Sequence, residues 1–299
     1  MFWMPSEPTH GQSATAAENI RKEFSLGANI EPFAAGSVPV FAAGDRYVVK
    51  LFPQSDGVHF ETEVAALAGI DGALSIPTPR LVASGERGGW WFVVMTRLSG
   101  RPLVDVWQTL TFDERRGLVR DVGTSLAELH ALDTSELTPL VVDWSSFVRQ
   151  QCDSCVERQA AKGLAALWLD QVESFLERWS PPDDGRRVLL HTEVMREHVL
   201  VEPHHGVWRL SGLVDFEPAM IGAPEYEFAS VGVFLTCAEP QLFRAVLDAY
   251  GAPLDDELPL RVMAYTLLHR YSNLRWYLER LPVADHSDLQ SLARSWFAT

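Results

Sequence analysis

Lysine is scarce in this chain. Of its 25 basic residues only Lys22, Lys50 and Lys162 are lysines, and the rest are arginine. Where arginine is the default cation, each lysine is a position to explain. Cysteine is scarce too: three residues in 299 cannot build a disulfide framework, which fits a reducing compartment. No apolar run approaches the roughly 20 residues needed to cross a bilayer. The start, MFWMPSEPTHGQSATAAEN, lacks the basic and apolar segments of a secretory leader. A cytoplasmic protein without membrane attachment is therefore expected. Positive charge is missing as a patch: the net charge is −15 and no basic stripe offsets it, which excludes nucleic acid as a partner. No internal repeat or low-complexity tract is present.

What is there suits a globular chain. Hydrophobic residues make up 47% and aromatics 10%, enough for a real core, and the length allows two lobes sharing one cleft. The acidity raises the encounter rate of cationic small molecules, although it also serves solubility by itself.

Residues 1–13 are polar, with Pro5, Pro8 and Gly11, and read as disordered; 15–26 read as a short helix. The pieces NIEPFAAGS, VPVFAAGD and RYVVKLFP read as three strands, with turns at Gly36-Ser37 and Gly44-Asp45. Lys50 lies inside the third, between Val49 and Leu51. A lysine in an apolar strand is costly to bury unless its ammonium meets an anion, so Lys50 reads as a phosphate-binding cation held by a carboxylate. The alternative is an edge-strand lysine reaching solvent. A helix over 56–70 places Phe60, Val64, Leu67 and Ala68 on one face. Glu63 sits beside that face and Glu61 is the other candidate partner. A proline-containing connector, 76–80, leads to a hairpin turning at Arg87-Gly88-Gly89. The strand ending Met95-Thr96-Arg97 then runs to a turn at Gly100-Arg101-Pro102. This gives an N-terminal lobe over 14–98 and a C-terminal lobe over 99–299.

The second lobe reads as mainly helical. Thr111 and Glu114 form a capping box for a helix ending at His130, a core or capping histidine. One or two helices follow over 147–179, broken near Lys162-Gly163. Cys152 and Cys155 have zinc-like spacing, but no second pair exists and they fall in a helix, so no metal or redox role is assigned. Further helices are expected over 223–235 and 241–250. A single long helix runs through Leu260, Met263, Leu267, Tyr271, Leu274 and Leu278, and a last one ends near Phe297.

Between these helices, 188–217 holds strand, polar loop, strand, hairpin, strand, acid: VLL, HTEVMREH, VLVE, then VWRLSGLVDFE. Glu193, His198 and Asp215 are its candidate functional groups, carried on a loop between rigid elements.

This order of pieces resembles the aminoglycoside phosphotransferase family, hygromycin-type members included, whose fold is protein-kinase-like. The resemblance implies an α+β, bilobal architecture, with a small N-terminal antiparallel sheet plus helix and a larger mainly helical lobe. The carrying pieces are FAAGSVPVFAAGDRYVVKLF, ETEVAALAGI, LSGRPL, LVRDVGTSLAELHAL and VDFEPAMIGAPEYEFASV. It implies a kinase of small molecules that takes ATP or GTP with Mg²⁺ and phosphorylates a cationic aminoglycoside-type acceptor, as in antibiotic resistance, acting as monomer or homodimer. Lys50 would contact the phosphates and Glu63 would position it. Ser37 and the backbone of Met95, Thr96 and Arg97 would bind nucleotide, and Asp215 the metal. The acids Glu225, Glu227, Asp255, Asp256 and Glu257 would bind the acceptor. The loop departs from the family's His-Gly-Asp-x-x-x-x-Asn. Glu193 replaces the aspartate, as base and acceptor contact, and His198 replaces the asparagine that binds metal. Glu217 replaces the last residue of the metal-binding triplet. An imidazole suits Mn²⁺ better than Mg²⁺. These departures leave a second reading open, a pseudokinase that binds nucleotide or ligand without transfer.

Overall fold

A computed structural model describes residues 10–34, 36–179, 184–283 and 288–298. Helix α1 (His10–Glu23) takes in 10–13, which were expected to be disordered; residues 1–9 lie outside the described ones. Strands β1 (Ile30–Pro32), β2 (Val40–Ala43) and β3 (Tyr47–Pro53) follow, then helix α2 (Gly57–Ile70), and strands β4 (Leu81–Arg87) and β5 (Trp90–Thr96). They form one antiparallel sheet in the order β1-β2-β3-β5-β4.

Strand alternation gives this sheet two different buried faces. Val49 and Leu51 of β3, with Trp90, Phe92 and Val94 of β5, pack against Ala16, Ala17 and Ile20 of α1. Phe52, Val93 and Met95 point the other way, where Ala66, Leu67 and Ile70 of α2 cover them. Lys50 has the parity of Phe52, so its side chain emerges on the α2 side. The helix turns Glu63, Ala66, Leu67 and Ile70 inward, a face rotated by about one residue from the one expected: Leu67 is shared and Ala68 is exposed.

A short connection crosses to the large lobe through β6 (Arg101–Pro102) and α3 (Leu103–Val106). Gly100 takes φ +96 there, and a Cβ would meet the Val201 carbonyl oxygen at 2.7 Å, so this corner requires glycine. Helix α4 (Phe112–Leu129) opens with the expected capping box, Thr111 and Glu114 exchanging backbone-to-side-chain bonds. Helices α5 (Trp144–Ala161) and α6 (Ala166–Trp179) come next, separated as expected. Cys155 is buried in α5 and donates to Leu267 O at 3.5 Å, a structural role. Strands β7 (Val188–Leu190), β8 (Val199–His204), β9 (Val207–Leu213) and β10 (Met220–Gly222) carry the central stretch. β7 pairs with β10 and β8 pairs with β6 and β9.

The helix expected over 223–235 is composite. A 3₁₀ turn (Pro224–Tyr226) leads into α7 (Glu227–Ser230) and then a π turn (Val231–Leu235). Thr236 N–H donates to Val231 O, five residues back. Gly232 lets the Phe297 ring press against the backbone in this turn, and an added Cβ would stand 2.3 Å from that ring. Helix α8 (Pro240–Tyr250) packs along α4. The long helix expected beyond it is two: α9 (Leu258–Leu268) and α10 (Leu274–Arg280), before α11 (Leu289–Trp296). The break falls at 269–273, where Asn273 accepts the Trp276 N–H and starts a new helix. No described helix is long and apolar enough to cross a membrane.

Candidate active site

The two lobes meet at Lys50. Its Nζ lies 2.6 Å from Glu63 on α2, 2.5 Å from Asp215 and 2.6 Å from Glu217. The ammonium is 6% exposed and the Glu63 side chain 1%, so this is a buried cation with three carboxylates around it. Glu63, not the exposed Glu61, is therefore the partner of Lys50. Burial works against the charge on Lys50, but the three acids outweigh it and hold the ammonium above its ordinary range. Burial also pushes Glu63 up to about 7, since three carboxylates compete for one cation. Asp215 goes the other way. Despite its burial, Lys50 and His198 hold it below the usual carboxylate range.

The loop between β7 and β8 is fixed from beneath. The buried Glu227 accepts the backbone N–H groups of His191 (2.7 Å) and Thr192 (2.8 Å). His191 Nε2 meets the Val214 carbonyl at 2.9 Å, and His269 Nε2 meets that of Thr192 at 3.0 Å. Both histidines are buried, and burial lowers each to about 4, so both are neutral donors there. Thr192 stands at φ +70, where the resembling family has glycine. Its N–H, carbonyl and hydroxyl are all engaged, the hydroxyl donating to Pro218 O at 3.0 Å. A β-branched residue in the left-handed region needs that degree of support. Arg196 closes the far side, stacked 3.6 Å from the Trp107 ring centroid and donating to Leu235 O.

With the loop held this way, Glu193 is half-buried and its carboxylate has no hydrogen-bond partner among the described residues. Burial raises its carboxyl above the ordinary value, and His198 and Arg270 oppose that. His198 presents Nδ1 to Glu193 O (2.9 Å) and Nε2 to Asp215 Oδ2 (3.1 Å). Both of those oxygens only accept, so each contact is a hydrogen bond when the facing ring nitrogen carries a proton. Against its burial, Asp215 and the Glu193 carbonyl raise His198 accordingly. Both ring nitrogens of His198 thus face protein oxygens, and the ring meets Asp215 directly.

Other expected positions separate. Ser37 reaches the site, donating to Glu217 Oε1 at 3.1 Å. Met95 lies in the sheet, while Thr96 and Arg97 give their N–H groups to Arg80 O and Arg46 O; those two donors are not free for an adenine edge. Among the acids expected to bind an acceptor, Glu227 is the loop anchor. Glu225 and Asp255 are both tied to Arg261, and Asp255 also accepts the Glu257 and Leu258 N–H groups at the start of α9. Asp256 and Glu257 are exposed on that turn. Sequence reasoning missed Arg270 and Tyr271, whose charges act on or respond to Glu193. It also missed Glu217 as a partner of Lys50. The apolar period that runs on through 269–273 hid the first two.

The residues fit a divalent cation. Carboxylate oxygens of Glu63, Asp215 and Glu217 lie within 4.8 Å of one another, a hard-oxygen set of the kind Mg²⁺ takes.

A family model described as the phosphotransferase enzyme family matches residues 29–264. The fold is similar to the GDP complex of wild-type aminoglycoside 2'-phosphotransferase-IIIa, with TM-score 0.73 and 19% identity over 97% of this chain and 100% of that one. It is similar to aminoglycoside-3'-phosphotransferase of type VIII, with TM-score 0.62 and 22% identity over 87% and 98%. At these identities the likeness shows the fold. A curated relative, lysine-specific demethylase JMJ21 of Arabidopsis thaliana, is 21% identical over 60% of this chain, which spans less than a quarter (23%) of that protein.

Proposed function

Because the chain belongs to the phosphotransferase enzyme family, we propose that it transfers the γ-phosphoryl group of ATP or GTP to a hydroxyl of a small cationic acceptor, with amino-sugar antibiotics as the first class to test. The observation that carries this is Lys50, buried against Glu63 and reaching Asp215 across the cleft, with the unpartnered Glu193 on the adjoining loop. Solved structures of similar fold hold kanamycin, streptomycin and gentamicin. The net charge of −15 favours such an acceptor. A cytoplasmic location follows from the nucleotide donor.

Phosphoryl transfer asks a protein for alignment and charge compensation more than for covalent chemistry. Lys50 would leave Asp215 and Glu217 to meet phosphate oxygens, while Glu63 keeps its stem in place. Ser37 would close over the phosphates from the β1–β2 loop. The acceptor oxygen bonds to the γ-phosphorus as the bond to the β-bridging oxygen breaks, releasing nucleoside diphosphate. The acceptor's proton passes to a Glu193 carboxylate oxygen. Arg270 and Tyr271 would orient the acceptor's polar groups beside Glu193. A divalent cation at the Asp215 side supplies neutralisation of phosphate charge.

The test is mass spectrometry of an aminoglycoside panel incubated with the protein, ATP or GTP, and Mg²⁺ or Mn²⁺. A gain of one phosphate is the expected result. No gain with any member, while nucleotide still binds, would remove the amino-sugar acceptor. The Glu193 and His198 substitutions favour the alternative of binding without transfer, and absence of nucleotide hydrolysis in the same experiment is its signature.

A further inference from the structure

The departures at His198 and Glu217 are coupled. His198 occupies the family's second metal-ligand position, yet both its nitrogens are committed, to Glu193 O and to Asp215 Oδ2. It cannot offer a lone pair to a cation without breaking one of those bonds. Two residues beyond Asp215, Glu217 places a carboxylate where the family's triplet ends. Its Oε1 accepts from Ser37 of the phosphate-side loop, and its buried Oε2 has no hydrogen-bond partner, only the ion contact to Lys50. Glu63 is almost fully buried behind Lys50, whereas Asp215 (27% exposed) and Glu217 (13%) open to the cleft. Three carboxylates thus converge on one ammonium.

We propose that Glu217 is the second protein ligand of the divalent-cation site, taking with Asp215 the role that His198 has given up. His198 is instead a positioning residue that ties Asp215 to the loop carrying Glu193. The ligand swap keeps an all-oxygen set, as Mg²⁺ requires. It rests on the kinase reading above.

The experiment measures Mn²⁺ binding to the full chain with a non-hydrolysable ATP analogue, by electron paramagnetic resonance. Nucleotide binding in chelator is followed separately by calorimetry. Glu217→Gln keeps the size and the Ser37 bond but halves the carboxylate. It is expected to weaken Mn²⁺ about tenfold or more, while metal-free nucleotide affinity is not weakened and rises if anything, because one rival for Lys50 is gone. His198→Ala removes a group that positions Asp215 and is expected to weaken Mn²⁺ by less than Glu217→Gln does. A Glu217→Gln protein that binds Mn²⁺ like the parent overturns the proposal, and so does a greater loss of Mn²⁺ affinity on His198→Ala than on Glu217→Gln. If Glu217→Gln does not fold, as judged by circular dichroism, Glu217→Asp is measured instead and must weaken Mn²⁺ by more than His198→Ala does. Failure of the parent itself to bind nucleotide removes the kinase reading, a result distinct from any of these.

Discussion

Glu227 receives the backbone N–H groups of two consecutive residues, His191 and Thr192, from 35 positions along the chain. An acid on an anionic protein would ordinarily be assigned to solvent or substrate. Here it is fully buried and shapes the catalytic loop.

The first prediction concerns that bracket. Glu227→Gln leaves one oxygen for two donors, so a buried N–H loses its partner. We expect a loss of about 1–3 kcal/mol in denaturant unfolding. Turnover should fall more than substrate KM rises, since the loop carrying Glu193 shifts. A variant with parental stability would show that the two hydrogen bonds carry little.

Thr192 supplies the second. At φ +70 its backbone is strained, by roughly 1–2 kcal/mol for a residue with a Cβ, and its hydroxyl bond to Pro218 O offsets about 1 kcal/mol. Thr192→Ala loses the bond and keeps the strain, whereas Thr192→Gly loses both. The alanine variant should therefore melt below the glycine variant. The reverse order would mean that glycine's unfolded-state entropy outweighs the relief of strain.

Glu193 supplies the third. If it accepts the acceptor's proton, Glu193→Gln lowers kcat about 100-fold or more and leaves nucleotide affinity unchanged. Burial raises its carboxyl, so the basic form is the product of deprotonation at a pH above the ordinary glutamate value. Turnover of the parent should fall on the acid side at a higher pH than a solvent-exposed glutamate would give. Phosphoryl transfer by Glu193→Gln at the parental rate would remove Glu193 from that role.

How much of this was readable beforehand differs from residue to residue. Lys50 stood out because a lysine in an alternating apolar strand has few physical excuses, whereas helical spacing left Glu61 open beside Glu63 and did not give the buried face. The strands of the small lobe and the capping box at Thr111 were legible because their signals are local. The fate of the acids was not. Whether Glu217, Glu225 or Glu227 meets an ammonium, a guanidinium or a backbone N–H depends on contacts made across 36 to 167 positions. The helix break at 269–273 was hidden by an apolar period that continues from α9 into α10. The π turn has no period-based signature at all: Gly232 admits it, and Phe297 from the far end of the chain occupies the space.

A fourth prediction follows from the two neutral histidines beneath the loop. His191 and His269 have folded-state values near 4 against an ordinary 6.5. Below about pH 6.5 the unfolded chain takes up protons that the folded one refuses. Stability is fully present above that pH and falls as pH drops toward 4, by on the order of 1.4 kcal/mol per pH unit for each histidine. Denaturant unfolding between pH 7 and 4.5 reads this slope. His269→Gln, which can still donate to Thr192 O, should make it shallower. An unchanged slope in that variant would place the acid sensitivity elsewhere.

The three-way grip on Lys50 has a kinetic side. In the resting cleft, Asp215 and Glu217 from one lobe hold the ammonium of the other, so they are rivals of any incoming phosphate for the same cation. The affinity measured for nucleotide is the intrinsic one scaled by the fraction of molecules whose lysine has been released. On the proposed reading the same rivalry would help at the end of a cycle, with the acids reclaiming Lys50 as the spent diphosphate leaves.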